Sequence, residues 1–206
     1  MKNKTLYLGM QHLIQVDPDM KEAFIELGMP EARMRSSGFE AFLFTIISQQ
    51  LSTKVATVIM ERVLCLMEGA TPEQFMKISG QSLREAGLSF RKIEYTQGLA
   101  RAALDGTFDI DVLKRLGDEE AIKAITNLRG LGRWSAEIYL IFSLGRMDVF
   151  PSDDLGLLVG LQLLKGLNSR PTPKQACEMV EHWAPSRSIG AIFLWHYYHH
   201  CISIQE

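Results

Sequence analysis

The chain has 206 residues, of which 47% are hydrophobic and 22% charged, so it can bury a core in one or two compact lobes and is not expected to be disordered. A formal net charge of −2 and a pI near 6.2 exclude broad attraction to polyanions, so any nucleic-acid contact has to be local. No apolar run reaches the roughly 20 residues that span a bilayer, and the first residues lack the apolar core of a signal peptide. We therefore expect an intracellular protein of the cytoplasm or nucleoid, or of the nucleus in a eukaryote, without a membrane partner.

Apolar residues recur mostly at helical spacing, and no repeated strand pattern is present, so the sequence predicts an all-α protein. Two Thr-Pro-x-Gln segments, beginning at Thr71 and Thr172, predict helix starts with a capping threonine, a first-turn proline and a glutamine that completes a capping box. Further helices are predicted from Leu6 to Val16, Pro18 to Leu27, Phe39 to Gln50, Thr53 to Met67, Arg91 to Asp105, Glu119 to Asn127, Arg133 to Leu144, Leu155 to Leu164 and Ser188 to His199.

Two closely spaced glycines interrupt the helical pattern between Asn127 and Arg133. Gly130 and Gly132 can both take backbone angles forbidden to other residues, which predicts a tight turn without side chains. Amide groups at the start of the next helix could then contact an anion such as a phosphate directly, with the helix dipole favouring negative charge. An isolated Gly-x-Gly more often only ends one helix and begins another.

Three separated segments carry a family resemblance that runs from about Phe39 to the C-terminus. They are Ile46-Ile47-Ser48-Gln49-Gln50-Leu51-Ser52, Leu128-Arg129-Gly130-Leu131-Gly132-Arg133-Trp134-Ser135-Ala136 and Asp148-Val149-Phe150-Pro151-Ser152-Asp153-Asp154. In this order they resemble the helix-hairpin-helix superfamily of base-excision DNA glycosylases, and most closely its 3-methyladenine DNA glycosylase II branch. The resemblance implies that the hairpin residues Leu128, Gly130, Leu131, Gly132 and Arg133 grip double-stranded DNA.

The same resemblance implies a two-lobed helical fold with the active site in the cleft between the lobes. One lobe would contain the helices near 39–115, and the other the hairpin region 118–144 with the N- and C-terminal helices. The implied activity is that of a monomeric, monofunctional glycosylase, which flips alkylated purines out of DNA and hydrolyses the N-glycosidic bond in base excision repair.

An acidic pair follows Pro151 at a predicted helix start. In ordinary helices Ser152 or Asp153 would be the N-cap and Asp154 a first-turn carboxylate that complements the dipole. Breaking an N-glycosidic bond develops positive charge on the sugar, which a carboxylate in a water-poor site stabilises. By the family pattern Asp154 matches the catalytic residue, and Asp153 is then the better capping candidate.

Tryptophans are the candidates for stacking on a flipped, positively charged base. Trp134 and Trp195 could both be core residues, which is the commoner fate of tryptophan, but the resemblance places them in the base pocket. An aromatic residue is often expected at Ile138 and Leu155, so the pocket is less aromatic than in the best-known relatives. Bifunctional relatives carry a lysine at the position of Trp134, which predicts base release without strand cleavage.

A residue that fills the gap left by a flipped base is expected at the junction of two helices. Gln49, Gln50 and Leu51 fit this description, and Gln50 is favoured. The alternative is that this segment only ends one helix before Ser52 and Thr53 cap the next.

Neither the cysteines nor the histidines predict a metal site. Cys65, Cys177 and Cys201 are too scattered to bind zinc or an iron–sulfur cluster and are interpreted as reduced thiols. The histidines near the C-terminus lack a neighbouring carboxylate or cysteine at ligand spacing and are interpreted as solvated or packed against aromatic rings: His196, His199 and His200. By family resemblance, the hairpin carbonyls can hold a structural Na⁺ or K⁺; no other cofactor is expected. Arg187 is assigned a structural or phosphate-binding role.

Two other functions are compatible with these motifs. A DNA-binding module without catalysis would use the hairpin glycines with Arg129, Arg133 and Lys123, but it would gain nothing from Asp154, which repels phosphate. A glycosylase for deaminated, mismatched or oxidised bases would share the whole arrangement and differ only in its substrate.

Overall fold

The computed structural model describes residues 3–32 and 36–205. In these ranges every regular element of secondary structure is a helix, as predicted. A search of the same residues finds no helix with the length and hydrophobicity of a membrane span. The twelve α-helices are α1 (Asn3–Val16), α2 (Pro18–Leu27), α3 (Phe39–Ser48), α4 (Thr53–Leu64), α5 (Pro72–Met76), α6 (Gly80–Ala86), α7 (Phe90–Leu104), α8 (Asp118–Thr126), α9 (Arg133–Tyr139), α10 (Leu155–Leu164), α11 (Pro173–Met179) and α12 (Arg187–Gln205).

Several of these helices begin at a side chain that accepts a hydrogen bond from a first-turn N–H group. Thr71 caps α5 and Thr172 caps α11, as predicted. Of the two predicted capping boxes, that of Thr172 with Gln175 is complete, and that of Thr71 with Gln74 is not formed. Each cap satisfies a backbone donor that has no partner within its own helix. Capping residues in the sequence therefore located the helix starts well.

Two helix ends differ from the predicted ones, at positions where the backbone leaves α-helical geometry. Helix α3 ends at Ser48, before the predicted end at Gln50, because Gln49 has a non-helical ψ of 128°, and Gln50 follows with a positive φ of 58°. The single helix predicted from Arg133 to Leu144 is α9 followed by a π-helical turn, Leu140–Leu144. The short helix α6 was not predicted, since seven residues are too few for a clear periodic pattern.

The chain forms two compact units, Met1–Met34 with Leu140–Glu206, and Arg35–Tyr139. This division differs from the one expected from the family resemblance, which grouped the hairpin with the terminal helices. The hairpin belongs to the second unit because α9 packs against α8 and α3.

Aromatic rings stabilise the core of the second unit. The ring of Phe42 is stacked on Tyr139 at 4.0 Å between centroids and meets Phe108 edge-on at 5.4 Å, while Phe39 meets Phe75 edge-on at 5.8 Å. Such ring pairs add to the free energy gained by burying their apolar area. They attach α3 to α7 and its neighbours and to the end of α9.

A fully buried carboxylate, Asp17, connects the N-terminal helices to the rest of the first unit. It caps α2 and accepts hydrogen bonds from Lys165 Nζ at 2.7 Å, Trp183 Nε1 at 2.6 Å and His182 Nε2 at 3.1 Å. Burial alone would raise the pKa of Asp17, but the hydrogen bonds from Lys165 and Trp183 outweigh it and lower the pKa below 3.8. The buried charge is therefore paired, as a stable fold requires.

Replacing this carboxylate tests its contribution to stability. We expect Asp17→Asn to lower the free energy of unfolding at pH 7 by about 3 kcal/mol, because Lys165 loses its buried counter-charge. Since the pKa of Asp17 is lowered in the folded protein, its contribution is present above the ordinary value of 3.8 and is lost as the pH falls below it. Urea unfolding of both proteins between pH 7 and pH 3 should show the difference shrinking towards acid.

Asp19→Asn is the matched control, because the side chain of Asp19 also bonds Lys165 but is 49% exposed. Its expected effect is below about 1 kcal/mol, as for other exposed ion pairs. Equal effects of the two substitutions would contradict a special role for Asp17.

Candidate functional site

Asp154 lies at the N-cap of α10, where two N–H groups orient its carboxylate. Its Oδ1 accepts from Leu157 N at 2.9 Å and from Trp195 Nε1 at 3.0 Å, and the residue is half-buried. The expectation that Asp153 is the cap was wrong: Asp153 is exposed, and Asp154 takes the extended backbone conformation of a cap. One oriented carboxylate thus stands beside a tryptophan at the start of α10.

Two glycines on α10 allow this helix to approach α12 closely. A Cβ on Gly160 would lie 3.0 Å from the carbonyl oxygen of Leu194, and a Cβ on Gly156 would lie 3.2 Å from Asp154 Oδ1 and 3.5 Å from Trp195 Cδ1. Contacts at 3.0–3.4 Å are tighter than nine in ten real Cβ contacts, so a neighbouring atom would have to move. The absence of side chains at these positions leaves room for the Asp154–Trp195 hydrogen bond.

The segment that leads to Asp154 is held on the first turn of α12. Arg187 forms a two-pronged ion pair with Asp148, at 2.8 and 2.7 Å, which lowers the pKa of the Asp148 carboxyl. Buried Ser188 accepts from Val149 N at 2.8 Å and donates to Val149 O at 2.9 Å. Arg187 therefore has a structural contact, and the loop before the acidic pair is tied to the helix that carries Trp195.

An aromatic residue that the sequence did not single out lies against Trp195. Phe142, in the π-helical turn, has its ring centroid 5.7 Å from that of Trp195. The two positions where an aromatic was expected do not supply one: Ile138 is buried and Leu155 is 57% exposed. A π-helical turn changes which side chains share a face, so helical spacing could not have identified Phe142.

The hairpin between α8 and α9 packs on α7 through Gly130. This glycine has a φ of 92°, and a Cβ there would lie only 2.2 Å from the ring of Tyr95. Both glycines could take such a conformation, but Gly132 does not have a positive φ, and a Cβ there would meet open space. Leu131 is buried and Leu128 half-buried, so the hairpin leucines anchor the turn while Gly132 leaves its outer side bare.

Both arginines of the hairpin are ion-paired. Arg133 bonds Glu119 at 2.6 and 3.1 Å and Glu137 at 2.9 Å, and the bonds with Glu119 raise the pKa of Arg133 further above its usual range. Arg129 pairs with Glu94. Each arginine of the turn thus has a carboxylate partner in the structure.

Of the two predicted pocket tryptophans, Trp195 donates to Asp154 within the first compact unit. Trp134 lies in the first turn of α9, in the other unit, and is 41% exposed. Such exposure is unusual for a tryptophan that only fills a core.

The loop after α3 contains the predicted intercalating residues. Gln49 Nε2 donates to Gly130 O at 2.7 Å, which joins this loop to the hairpin. Gln50 is exposed with its positive φ, and Leu51 is 38% exposed. The three candidates therefore differ in role, because Gln49 is a structural link and Gln50 and Leu51 point to the surface.

In residues 3–32 and 36–205, no group of three His, Cys, Asp or Glu side chains could hold a metal ion. Cys65 and Cys177 are exposed free thiols and Cys201 is half-buried. The C-terminal histidines contact aromatic rings or a carboxylate, with His196 against Phe193, His199 against Tyr198 and His200 near Glu26.

A helical chain with a glycine hairpin, followed by a helix-capping carboxylate that is bonded to a tryptophan, has the features of a helix-hairpin-helix DNA repair protein. Residues 43–186 match the HhH-GPD superfamily of base excision DNA repair proteins, and the chain belongs to this family. DNA-3-methyladenine glycosylase 1 of Schizosaccharomyces pombe is 33% identical over 191 residues, covering 89% of this chain and 84% of the relative.

Two further comparisons agree with this assignment. A solved structure of S. pombe 3-methyladenine DNA glycosylase in complex with abasic DNA superposes with a TM-score of 0.82 at 31% identity, covering 91% of this chain and 94% of the other. DNA-3-methyladenine glycosylase 2 of Escherichia coli is 29% identical over 170 residues; the match covers 77% of this chain and 56% of that relative.

Substitutions at the two hairpin glycines should have unequal effects on stability. We expect Gly130→Ala to lower the free energy of unfolding by at least about 2 kcal/mol. A Cβ at this position is unfavourable in left-handed backbone and would also clash with the ring of Tyr95. Gly132→Ala should cost no more than about 1 kcal/mol, the usual range for changing a helix cap. Chemical unfolding of both variants measures this; an equal loss would contradict the assigned geometry.

Proposed function

We propose that this protein is a monofunctional DNA glycosylase that flips alkylated purines, of the 3-methyladenine and 7-methylguanine type, out of double-stranded DNA. It hydrolyses the N-glycosidic bond and leaves an abasic site for base excision repair. The observation that carries the proposal is the Asp154 carboxylate, held by Leu157 N and Trp195 Nε1 at the start of α10. The family and the names of the relatives support the same chemistry.

In this mechanism Asp154 stabilises the positive charge that develops on the sugar as the bond to the base breaks. Its fixed orientation means that little reorganisation is needed when the charge appears. The same carboxylate orients the attacking water, whose oxygen bonds to the sugar carbon as the bond to the base breaks. The base leaves with the bonding electrons, which neutralise its ring charge, and the proton lost by the water passes to solvent. A pure DNA-binding protein has no use for a carboxylate near phosphate.

Aromatic faces provide the recognition of an alkylated base. An alkylated purine carries positive charge, which is attracted to the electron-rich face of an aromatic ring. Trp195, with Phe142 packed against it, is the first candidate, and the exposed ring of Trp134 is a second.

DNA contact in this proposal begins with the hairpin. Since Arg133 and Arg129 are already paired with carboxylates, the first-turn amides of α9 and the bare edge at Gly132 are the features that meet a phosphate. We further propose that the protein acts as a monomer and that Gln50 or Leu51 fills the gap in the base stack. Few released counterions imply a modest dependence of affinity on salt.

Asp154→Asn tests the mechanism without removing the cap. Asparagine keeps an oxygen that accepts from Leu157 N and Trp195 Nε1 but has no charge, so we expect unchanged folding and a rate of base release lower by about 10²–10³-fold. Single-turnover assays on duplexes containing 3-methyladenine, 7-methylguanine, ethenoadenine, hypoxanthine or uracil measure this rate and the substrate range together.

Asp153→Asn, at the exposed neighbouring position, is the control and should retain full activity. If Asp154→Asn released bases at the parental rate, the proposed role of Asp154 would be wrong. If the parent protein bound these duplexes but released no base, a DNA-binding module would become the better description.

Trp134 occupies the position at which bifunctional relatives carry a lysine, so no amine is available there to attack the sugar. We expect borohydride treatment during the reaction to trap no covalent protein–DNA complex, and strands to break only after heating in alkali. A Trp134→Lys variant provides the comparison for the trapping assay. A trapped complex with the parent protein would contradict the monofunctional assignment.

A further inference from the structure

The loop that follows α3 is held in an unusual conformation by contacts from two other elements. The backbone of Gln50 is in the left-handed region, with a φ of 58°. This conformation is energetically unfavourable for a residue that has a Cβ. An exposed residue does not keep such a backbone without support from its surroundings. The support lies in the residues immediately before it.

Lys92, in the first turn of α7, provides part of that support. Its Nζ donates to Ile47 O at 2.7 Å and to Gln49 O at 2.8 Å, and the side chain is half-buried. These carbonyls belong to the C-terminal end of α3, where backbone oxygens lack helical partners and positive charge is favoured. Burial lowers the pKa of Lys92, so placing a lysine here has a cost that an ordinary surface lysine does not carry.

Gln49 links the same loop to the hairpin. Its backbone oxygen accepts from Lys92 and its side-chain amide donates to Gly130 O at 2.7 Å. Gln50 thus follows a residue that is held at both its backbone and its side chain. The contacts of Lys92 and Gln49 join α3, α7 and the hairpin within one compact unit.

We propose that Lys92 is a positioning residue for base flipping: it holds the loop so that Gln50 is ready to enter the gap left by the flipped base. Gln49 sets the distance between that insertion and the hairpin that grips the phosphate. The proposal rests on the glycosylase function proposed above. Lys92 then affects the opening of the base stack and has no effect on the chemistry at the sugar.

A double-mutant cycle with Lys92→Met and Gln50→Ala tests this assignment. Methionine keeps most of the apolar chain and removes the three donors. On a duplex with a normally paired alkylated base, each single substitution should slow single-turnover base release roughly tenfold, the effect of losing one or two hydrogen bonds. The double variant should be no slower than Gln50→Ala, because Lys92 acts through Gln50.

Two readouts separate positioning from a general structural role. On a duplex in which the alkylated base lies in an unpaired bulge, all variants should work at nearly the parental rate, because the stack is already open. In a paired duplex carrying 2-aminopurine beside the lesion, the fluorescence rise that reports unstacking should be reduced in the variants. Lys77→Met changes an exposed lysine at the C-terminal end of α5; it is the charge-matched control and should behave like the parent.

Several outcomes would overturn the proposal: multiplied losses in the double variant, equal losses on paired and bulged substrates, or no loss in Gln50→Ala. If Lys92→Met does not fold, Gln49→Met replaces it in the cycle with the same expectation. A parent protein that unstacks DNA in a Gln50- and Lys92-dependent way but releases no base would refute the glycosylase function and leave the positioning role standing. A parent that does neither would refute both.

Discussion

The close approach of α10 and α12 is the constraint on which the candidate catalytic geometry depends. Gly156 and Gly160 let the two helices meet without intervening side chains, and this brings Trp195 within hydrogen-bonding distance of Asp154. The N-cap requirement of α10 and the indole of α12 then orient one carboxylate from two directions. The pair Arg187–Asp148 and the bonds of Ser188 tie the preceding loop to the same helix. Helix packing and carboxylate orientation are therefore a single arrangement.

The second unit contains the hairpin, and the question there is how a chain with net charge −2 can bind a polyanion such as DNA. Its hairpin arginines are committed to Glu94, Glu119 and Glu137, so they stabilise the turn and contribute little net positive charge. In the proposed function, backbone donors at the hairpin are the binding feature, and the turn that presents them depends on Gly130 packed against the Tyr95 ring. Directional contacts of this kind suit an enzyme that needs register on DNA more than affinity for it.

Much of the fold followed from local signals. Capping residues such as Thr71 and Thr172 located helix starts, and helical periodicity predicted the all-α class, because both depend on interactions within a few residues. Predictions failed where a distant contact changes the backbone. The non-helical backbone of Gln49 and Gln50 shortens α3, the π-helical turn divides the helix after Arg133, and α9 joins the unit of α3 because it packs there. Phe142 and Lys92 had no signal in the sequence at all, since each matters only through its neighbour in space.

The sequence by itself determined the helical class, the glycine turn and the family, because those are written in residue types at short and regular spacings. It also singled out Asp154, although for the cap it favoured Asp153. Only the tertiary structure decided that Asp154 is both cap and acceptor of the Trp195 indole, that the hairpin arginines are neutralised, and that Gln49 joins the loop to the hairpin. The bonds of Arg133 with Glu119, Asp154 with Trp195 and Gln49 with Gly130 join residues from 14 to 81 positions apart, and which donor meets which acceptor at that separation is set by helix packing and not by local order.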